Sequence, residues 1–140
     1  AECSGPLVVI SADTAISMMA VNAKQELVGG VILPGPQLSL SALVKNTAQL
    51  PQIDLAAKAP ASILGKSTSS CLQNGFVLGT ASLLDGLAER FCAELGPQTA
   101  FYATGNLPIP IREACCTPIL YRETLITDGL YRIWMKNKKG

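Results

Sequence analysis

The segment from Val28 to Gly35 constrains the fold more than any other part of the sequence. It reads Val-Gly-Gly-Val-Ile-Leu-Pro-Gly, an apolar run that holds a glycine pair and ends in Pro-Gly. Paired glycines weaken the interior of a strand unless another backbone or a ligand must come close, and Pro-Gly then turns the chain out of the sheet. The segment therefore predicts a strand whose end borders an interface or a binding site.

The composition predicts a single domain that associates with other subunits. The 140 residues suffice for one domain, residues 1–140, with a core of its own. Hydrophobic residues make up 49% of the chain and charged residues 15%, against about 25% charged residues in an ordinary soluble domain. No apolar run approaches the roughly 18 residues that a membrane span needs, so no membrane segment is predicted. The surplus apolar surface instead predicts an obligate oligomer.

The charge pattern argues against a nucleic-acid partner. The formal net charge is +1, and the basic residues are scattered apart from Lys136, Lys138 and Lys139 near the end of the chain. Nucleic-acid binding requires basic residues that cluster on one face, so none is predicted. The three lysines are interpreted as the solvated end of a helix.

The usage of histidine and cysteine limits the available chemistry. The chain has no histidine, and no Cys-x-x-Cys pair occurs among its five cysteines. A zinc site would lack its usual ligands, so no metal site is predicted, and His-based catalysis is excluded. Reduced thiols and the absence of a signal-peptide pattern predict a cytoplasmic protein, with Cys71 and Cys92 in its core.

The first third of the chain predicts a three-stranded meander and a short helix. Three apolar runs are separated by a polar turn at Ser11 to Thr14 and by a hairpin loop at Asn22 to Gln25. The strands predicted in this way are Leu7 to Ile10, Ile16 to Val21 and Glu26 to Leu33. A helix is predicted from Pro36 to Lys45, and a loop from Gln49 to Pro60.

The longest predicted element is a helix that begins near Ser67 and stops at Gly96. The hydroxyls at residues 67–70 are N-cap candidates, and Gly96 followed by proline is a typical helix stop. Asp85 and Glu89 are interpreted as like charges on the solvated face of this helix. One apolar stripe is predicted to face the core, and it consists of Leu72, Phe76, Leu83, Leu87, Phe91 and Leu95.

Three glycines lie within this helix but off its apolar stripe. Each of Gly75, Gly79 and Gly86 costs about 1 kcal/mol relative to alanine in a helix interior. Two interpretations remain open. Either another backbone packs closely against the glycines, or they let the helix lie flat on its own sheet.

The rest of the chain predicts alternating strands and helices. The predicted elements are a strand at Thr99 to Ala103, a helix at Pro108 to Cys116, a strand at Pro118 to Tyr121 and a helix at Glu123 to Asn137. Leu130, Ile133 and Trp134 are predicted to face inward from the last helix. The resulting order, β-β-β-α-α-β-α-β-α, predicts an α/β domain of the ribonuclease-H-like or actin-like kind, with a mixed sheet and helices on its faces.

This order, together with several short motifs, resembles the C-terminal domain of type III pantothenate kinases. The most specific motif is Gly-Gly-x-Ile-x-Pro-Gly, which matches residues 29–35. Weaker matches are Leu50-Pro51, Gly65-Lys66-Ser67-Thr68, Gln73-Asn74-Gly75, Ala103-Thr104-Gly105 and Asp128-Gly129-Leu130. The resemblance spans nearly the whole chain and places it in the superfamily of acetate kinase, sugar kinases and actin.

The resemblance implies a function and an assembly. The family transfers a phosphoryl group from ATP, with Mg²⁺, to pantothenate in the first step of coenzyme A biosynthesis, and the resemblance leaves open a monovalent cation. Its members have two actin-like domains and form homodimers through the C-terminal domain. The interface residues implied for this chain are Gly29, Gly30, Pro34 and Gly35, with Gly75 and Gly79 on the long helix.

The resemblance also implies nucleotide and substrate contacts. Thr104 and Gly105 match a Thr-Gly-Gly turn that borders the adenosine, although Asn106 stands in place of the second glycine. Thr68 matches a threonine that reaches the pantothenate of the neighbouring subunit. Within its own chain, Thr68 is interpreted first as an N-cap.

The phosphate motif of the family is altered in this chain. The family reads Asp-x-Gly-Thr-Ala-Thr-Thr where this chain has Ser-Ala-Asp-Thr-Ala-Ile-Ser at residues 11–17. Asp13, Thr14 and Ser17 are therefore the phosphate-binding candidates, while Ser11 replaces the cation-binding carboxylate. A carboxylate about 4 Å from a phosphate charge costs about 4 kcal/mol at an effective dielectric near 20, or about three powers of ten in affinity. A Mg²⁺ ion recruited by Asp13 reverses that sign; a local Asx-type turn is the other interpretation of Asp13.

Three hypotheses follow for the function of the chain. The first phosphate motif and the general base of the family lie in an N-terminal domain that this sequence does not encode, so no catalytic residue is assigned and the isolated chain is predicted to be inactive. In the first hypothesis it is part of the kinase, as a fragment or as one subunit of a heteromer with a chain that carries the N-terminal domain. In the second it is a non-catalytic scaffold or regulatory relative. The third is an actin-like domain with an unrelated small-molecule ligand.

Overall fold

The computed structural model describes residues 4–138 and forms one mixed α/β layer structure. The elements are β1 (Leu7–Ala12), β2 (Ala15–Val21), β3 (Leu27–Pro34), α1 (Pro36–Lys45), α2 (Thr68–Leu95), β4 (Ala100–Gly105), α3 (Ile109–Ala114), β5 (Ile119–Tyr121) and α4 (Leu125–Asn137). The predicted α/β class with a mixed sheet and helices is confirmed. Cys3 and Lys139 lie outside the described residues.

The sheet combines a meander with two parallel crossovers. Its strand order is β3-β2-β1-β4-β5. Strand β2 pairs antiparallel with β1 and β3, whereas β4 pairs parallel with both β1 and β5. Parallel strands need a long return connection, and helices α2 and α3 lie on those return paths. As a result β1, β4 and β5 end at the same edge, which we call the carboxyl edge.

Strand β1 is longer than the sequence predicts. Ser11 and Ala12, expected in a polar turn, belong to the strand, and the turn shrinks to residues 13–14. Ser11 pairs with Ser17 on one side and with Thr104 on the other. Pairing on both sides overrides the weak strand preference of serine and alanine.

The core lies between one face of the sheet and the helices. Strands β1 and β2 bury alternate side chains, as a strand with one covered face does. Leu40 of α1 and Ile111 of α3 complete the core from the helical layer. The sheet contributes Val8, Ile10, Ala12, Ile16, Met18, Ala20, Phe101 and Ala103, and α2 contributes Val77, Ala81, Leu84 and Ala88.

The buried face of α2 is not the predicted apolar stripe. Ala81, Leu84 and Ala88 are buried, whereas Leu83 of the predicted stripe is exposed, and Phe76, Leu87, Phe91 and Leu95 only flank the core. The helix is thus rotated by about a quarter turn from the prediction. Ala81 and Ala88 allow the helix axis to approach the sheet closely, and Val77 and Leu84 fill the space beside them.

The glycines of α2 point away from the sheet. A Cβ atom added at Gly75, Gly79 or Gly86 would meet nothing within 4 Å in the described part of the chain. The interpretation that these glycines let the helix lie flat on its own sheet is therefore wrong. Close packing of another backbone against them stays a prediction.

Two further predictions about burial are wrong. Leu130, Ile133 and Trp134 of α4 are exposed, because α4 follows the edge strand β5 and the core face is already covered by other helices. Cys71 is exposed because it lies in the first turn of α2, ahead of the part of the helix that meets the sheet. Cys92 is half-buried against the core.

Asp85 is a structural residue rather than a charge on a solvated face. Its carboxylate accepts hydrogen bonds from the backbone N–H groups of Cys116 and Thr117, both at 2.8 Å. Partial burial acts to raise the pKa of Asp85, but these hydrogen bonds outweigh it and hold the pKa below its usual value. Asp85 therefore fixes the loop between α3 and β5 to the middle of α2.

The neighbouring Cys115 is chemically quiet. Burial raises the pKa of its thiol to about 11, and the negative charge of Asp85 and then Cys116 add to the rise. The S–H group donates to the carbonyl of Ile111. Because the thiolate is the reactive form, Cys115 serves packing.

The substitution Asp85→Asn is expected to lower the free energy of unfolding by about 1–2 kcal/mol, since an amide accepts only one of the two backbone hydrogen bonds. A group with a lowered folded-state pKa stabilises above its unfolded pKa and loses that contribution as the pH falls through the folded value. The difference between wild type and variant should therefore be complete at pH 7, begin to shrink below about pH 4 and vanish only once the pH has fallen through the lowered folded-state pKa.

Urea unfolding at several pH values measures this difference. Glu89→Gln, an exposed change on the same helix, is the control and should shift stability by less than about 0.5 kcal/mol. A pH-independent difference for Asp85→Asn would contradict the assignment.

Candidate functional site

A cavity of about 430 Å³ opens at the carboxyl edge of the sheet. Three segments line it: residues 12–14 at the end of β1, the start of α1 including Gln37 and Ser41, and residues 106–108 after β4. Ligands of open α/β sheets bind in the crevice beyond the carboxyl ends of the strands. The cavity is therefore the candidate functional site.

Backbone contacts hold these three segments together. The N–H of Asn106 donates to the carbonyl of Ala12 at 2.6 Å, and the N–H of Gly35 donates to the carbonyl of Thr14 at 2.8 Å. Gly105 has φ +90°, and a Cβ there would collide with the backbone of Ala12. Glycine is required at Gly105 on both counts.

The cavity combines one carboxylate with the positive end of a helix. Asp13 is the one charged side chain among the described residues that line it. Helix α1 begins at the cavity with Pro36 and has no acidic residue in its first turn, and the first N–H groups of a helix have no acceptor inside it. Such a helix end attracts anions, whereas Asp13 attracts cations. Together they suit an anion that arrives with a metal ion.

The side chain of Asp13 does not form the predicted local turn. It accepts a hydrogen bond of 3.5 Å from the side-chain amide of Asn106, which also lines the cavity. Asp13 and Asn106 are the positions at which the resembled motifs carry glycine. The two departures from the family pattern thus lie against each other, joined by the pairing of β1 with β4.

The structure separates the other predicted site residues. Thr14 lines the cavity, but Ser17 lies inside β2, where it pairs with Ser11. Thr104 is buried, and its hydroxyl donates to the carbonyl of Glu123 at 3.4 Å, which ties β4 to the start of α4. Gly105 directly precedes the lining residue Asn106.

Thr68 is exposed and is not among the residues that line the cavity. The N-cap of α2 is Ser67, whose hydroxyl accepts from the N–H of Ser70, so the interpretation of Thr68 as the cap is wrong. The hydroxyl of Ser70 in turn accepts a hydrogen bond of 2.9 Å from the backbone N–H of Ser67, which completes a reciprocal capping box. A role for Thr68 in substrate binding stays a prediction that requires a second chain.

Two residues that the sequence did not reveal support the turn after β4. The hydroxyl of Tyr121 donates to the carbonyl of Gly105. The guanidinium of Arg112 lies 3.5 Å from the centre of the Tyr121 ring, and its Nε donates to the carbonyl of Leu107 at 2.6 Å. Side chains of α3 and β5 thereby fix residues 105–107 in place. No local sequence pattern at Arg112 or Tyr121 predicts this contact.

The described residues contain neither a preformed metal cluster nor a membrane helix. Between residues 4 and 138, no group of three or more His, Cys, Asp or Glu side chains is placed to hold a metal ion. Over the same residues, no helix has the length and apolar character that crossing a bilayer requires. The four cysteines in this range, Cys71, Cys92, Cys115 and Cys116, are free thiols.

The fold and its cavity define a mixed α/β domain with a ligand-sized site at the carboxyl edge, and comparisons with known proteins specify the family. The family described as type III pantothenate kinase matches residues 1–90. The type III pantothenate kinase of Koribacter versatilis is 38% identical over 137 residues, which cover 97% of this chain and 49% of that protein. That of Solibacter usitatus is 35% identical over 133 residues, which cover 95% and 50%.

A solved structure shares the fold. It is of a Campylobacter jejuni protein described as a Baf family transcriptional activator, with a TM-score of 0.58, 22% identity, and coverage of 98% of this chain and 60% of that one. The sequence matches show more than the fold: the chain belongs to the type III pantothenate kinase family. It spans about half the length of the curated relatives it matches.

The substitution Tyr121→Phe tests the support of the turn after β4. It removes the hydroxyl that binds Gly105 but keeps the ring beneath Arg112, so we expect a loss of about 1 kcal/mol in unfolding free energy. Amide hydrogen exchange at residues 105–107 should accelerate, because these residues lose one of their anchors. Tyr131→Phe, on the exposed face of α4, is the control, and equal effects of both variants would refute the anchoring role.

Proposed function

We propose that this chain forms one wall of an ATP-dependent pantothenate kinase, with an actin-like fold, and that the half of the kinase it does not span supplies the other wall. The reaction is phosphoryl transfer from ATP to the alcohol of pantothenate, the first step toward coenzyme A. The observation that carries the proposal is the cavity of about 430 Å³ at the carboxyl edge, in a chain related over nearly all of its length to half of such kinases.

The lining residues have distinct proposed roles toward ATP. The hydroxyl of Thr14 and the first N–H groups of α1 face the phosphates, since a helix N-terminus binds anions. Thr104 and Gly105 border the adenosine side, and the lining residue Asn106 directly follows them. Mg²⁺ bound with ATP would neutralise phosphate charge, and Asp13 is the carboxylate among the lining residues that can hold it.

The isolated chain is proposed to be inactive. Phosphoryl transfer depends on positioning and on charge neutralisation from both sides of the phosphate. The lining described here offers one carboxylate, and that carboxylate faces the phosphates or their metal. A general base for the pantothenate hydroxyl must therefore come from the other wall.

A homodimer through α2 and the end of β3 is part of the proposal. Gly75 and Gly79 line a groove of about 250 Å³ together with Leu33, Pro34 and Phe76. The open side of the glycines allows a second backbone to pack closely. Packing within the chain already explains glycine at Gly30 and Gly35, because a Cβ atom at either position would collide with neighbouring backbone. The contact surface is thus centred on the α2 glycines and Pro34, with Gly29 at its margin and Thr68 reaching the partner's pantothenate.

A second candidate function is that of a non-catalytic scaffold or regulatory relative. The observation that favours it is Asp13, whose side chain is part of the cavity lining and accepts a hydrogen bond from Asn106. Without a metal ion its charge would oppose phosphate binding by about 4 kcal/mol. A cytoplasmic location with reduced cysteines is compatible with either candidate function, and so is a homodimer.

Complementation distinguishes the two candidates. The chain is co-expressed with the part of the Koribacter versatilis kinase to which it has no matching residues. Phosphopantothenate formation and Mg-ATP binding by the complex are then measured. If the chain is a kinase wall, the complex turns over, the chain alone does not, and Ser11→Asp with Asp13→Gly changes Mg-ATP affinity by less than about threefold.

If the chain is a scaffold, the wild-type complex does not bind Mg-ATP, and the same double variant restores binding by up to about three powers of ten. Asp13→Asn separates charge from bulk, because it removes only the charge. Turnover by the wild-type chain without any partner would refute the proposal of a single wall.

The substitution Gly79→Arg tests the homodimer. A Cβ atom added at Gly79 would meet nothing within 4 Å in the described chain, and arginine has a higher helix propensity than glycine, so the monomer should keep or gain stability. The dimer should dissociate because the long side chain fills the groove. Sedimentation velocity measures this, with Glu89→Arg as the control on the same helix, and a dimer that persists in Gly79→Arg would contradict the interface.

A further inference from the structure

Helix α4 carries an apolar stripe that nothing in the described chain covers. Ile126, Leu130, Ile133 and Trp134 are 55%, 62%, 60% and 53% exposed. Their spacing of i, i+4, i+7 and i+8 places all four on one face. No residue of α4 is fully buried. The described fold therefore leaves this face without a partner.

The opposite side of α4 carries three charged residues beside the half-buried Leu125 and Met135. Asp128, Arg132 and Lys136 follow one another at i, i+4 and i+8, and all three are exposed. The helix has 13 residues, and isolated helices shorter than about 12–15 residues are marginal in water. Stable helix formation by α4 thus depends on a surface that covers its apolar stripe.

The position of α4 brings this stripe next to the candidate site. The backbone N–H of Arg122 donates to the carbonyl of Ala103 at 2.8 Å, and the hydroxyl of Thr104 reaches the carbonyl of Glu123. Helix α4 therefore begins at the carboxyl edge, where the cavity opens. A body that covers the stripe would stand beside the cavity.

The relatives of this chain indicate which part of a protein could cover the apolar stripe of α4. Sequence similarity to the Koribacter versatilis kinase extends over 97% of this chain, so it includes most or all of α4, yet it covers only 49% of that kinase. Proteins that share α4 thus contain a further half of comparable size. The second-copy contact proposed above lies on a different helix, α2, and leaves α4 free for this half.

We infer that the apolar stripe of α4 is the docking surface for the other half of the pantothenate kinase, the body that supplies the second wall of the cavity. This inference rests on the proposed function and adds the surface by which the two walls are joined. The surface that meets α4 is apolar, and it buries the indole of Trp134, which at present contacts Tyr131 and Lys138 of its own helix.

The only tryptophan of the sequence makes the inference measurable. The full chain is co-expressed with the uncovered part of the Koribacter versatilis kinase, with that part's tryptophans replaced by phenylalanine, and the complex is purified through a tag on this chain. We expect a one-to-one complex in which the emission of Trp134 shifts to the blue. Leu130→Ser combined with Ile133→Ser should weaken the complex at least about tenfold.

Arg132→Gln combined with Lys136→Gln is the matched control on the opposite side of α4 and should leave the complex intact. Because the stripe is exposed, neither double variant removes a core side chain, and circular dichroism of the chain checks this. Failure to recover a complex, or a complex that the stripe variants do not weaken, would overturn the inference. So would a blue shift of the chain alone with rising concentration, or on anionic phospholipid vesicles in place of the kinase part.

The test separates this inference from the proposed function. A complex that depends on the stripe but forms no phosphopantothenate supports the docking surface and refutes the kinase wall. Phosphopantothenate formation that the stripe variants leave unchanged supports the kinase wall and refutes the docking surface.

Discussion

The parallel pairing of β1 with β4 is the interaction on which the rest of this structure depends. It sets Ala12 beside Gly105 at the carboxyl edge, and this register brings two loops that are far apart in sequence to one cavity. It also fixes the charge of the site, because residues 13 and 106 follow the paired ends directly. A shift of the register by one residue would exchange the buried and exposed faces of β1, so the core and the site are specified by the same contact.

This shared origin explains which chemical groups the cavity offers. The carboxyl edge collects loop ends and the start of α1, which supply hydroxyls, amides and backbone N–H groups. Groups that approach a phosphate from the opposite side cannot come from the same edge of the same sheet. The charge of Asp13 limits what the cavity can bind. The electrostatic energy of a carboxylate that faces an anion is favourable when a cation lies between them and unfavourable otherwise.

Local features were predictable from the sequence, and long-range ones were not. The bounds of α1, the cap hydroxyls before α2 and the stop at Gly96 follow from neighbouring residues. The face that α2 buries does not, because the sheet selects alanines that periodicity ranks below leucine and phenylalanine. The pairs Asp13 with Asn106 and Arg112 with Tyr121 each join loops or elements whose meeting depends on parallel register. No pattern within one segment contains that information.

Part of the apolar surplus of the composition lies on the surface of the described residues rather than in the core. Monomeric soluble proteins rarely expose contiguous apolar patches beyond a few hundred Å², yet this chain exposes large apolar side chains on both α2 and α4. Two different faces that both bound further copies of the chain would extend the assembly rather than close it at a dimer. Assigning the glycine face of α2 to a second copy and the stripe of α4 to a different body gives a closed assembly. The amphipathic pattern of α4 correctly groups its large apolar residues on one face, but the prediction that this face packs inward is wrong for the described residues, where Leu130, Ile133 and Trp134 are exposed.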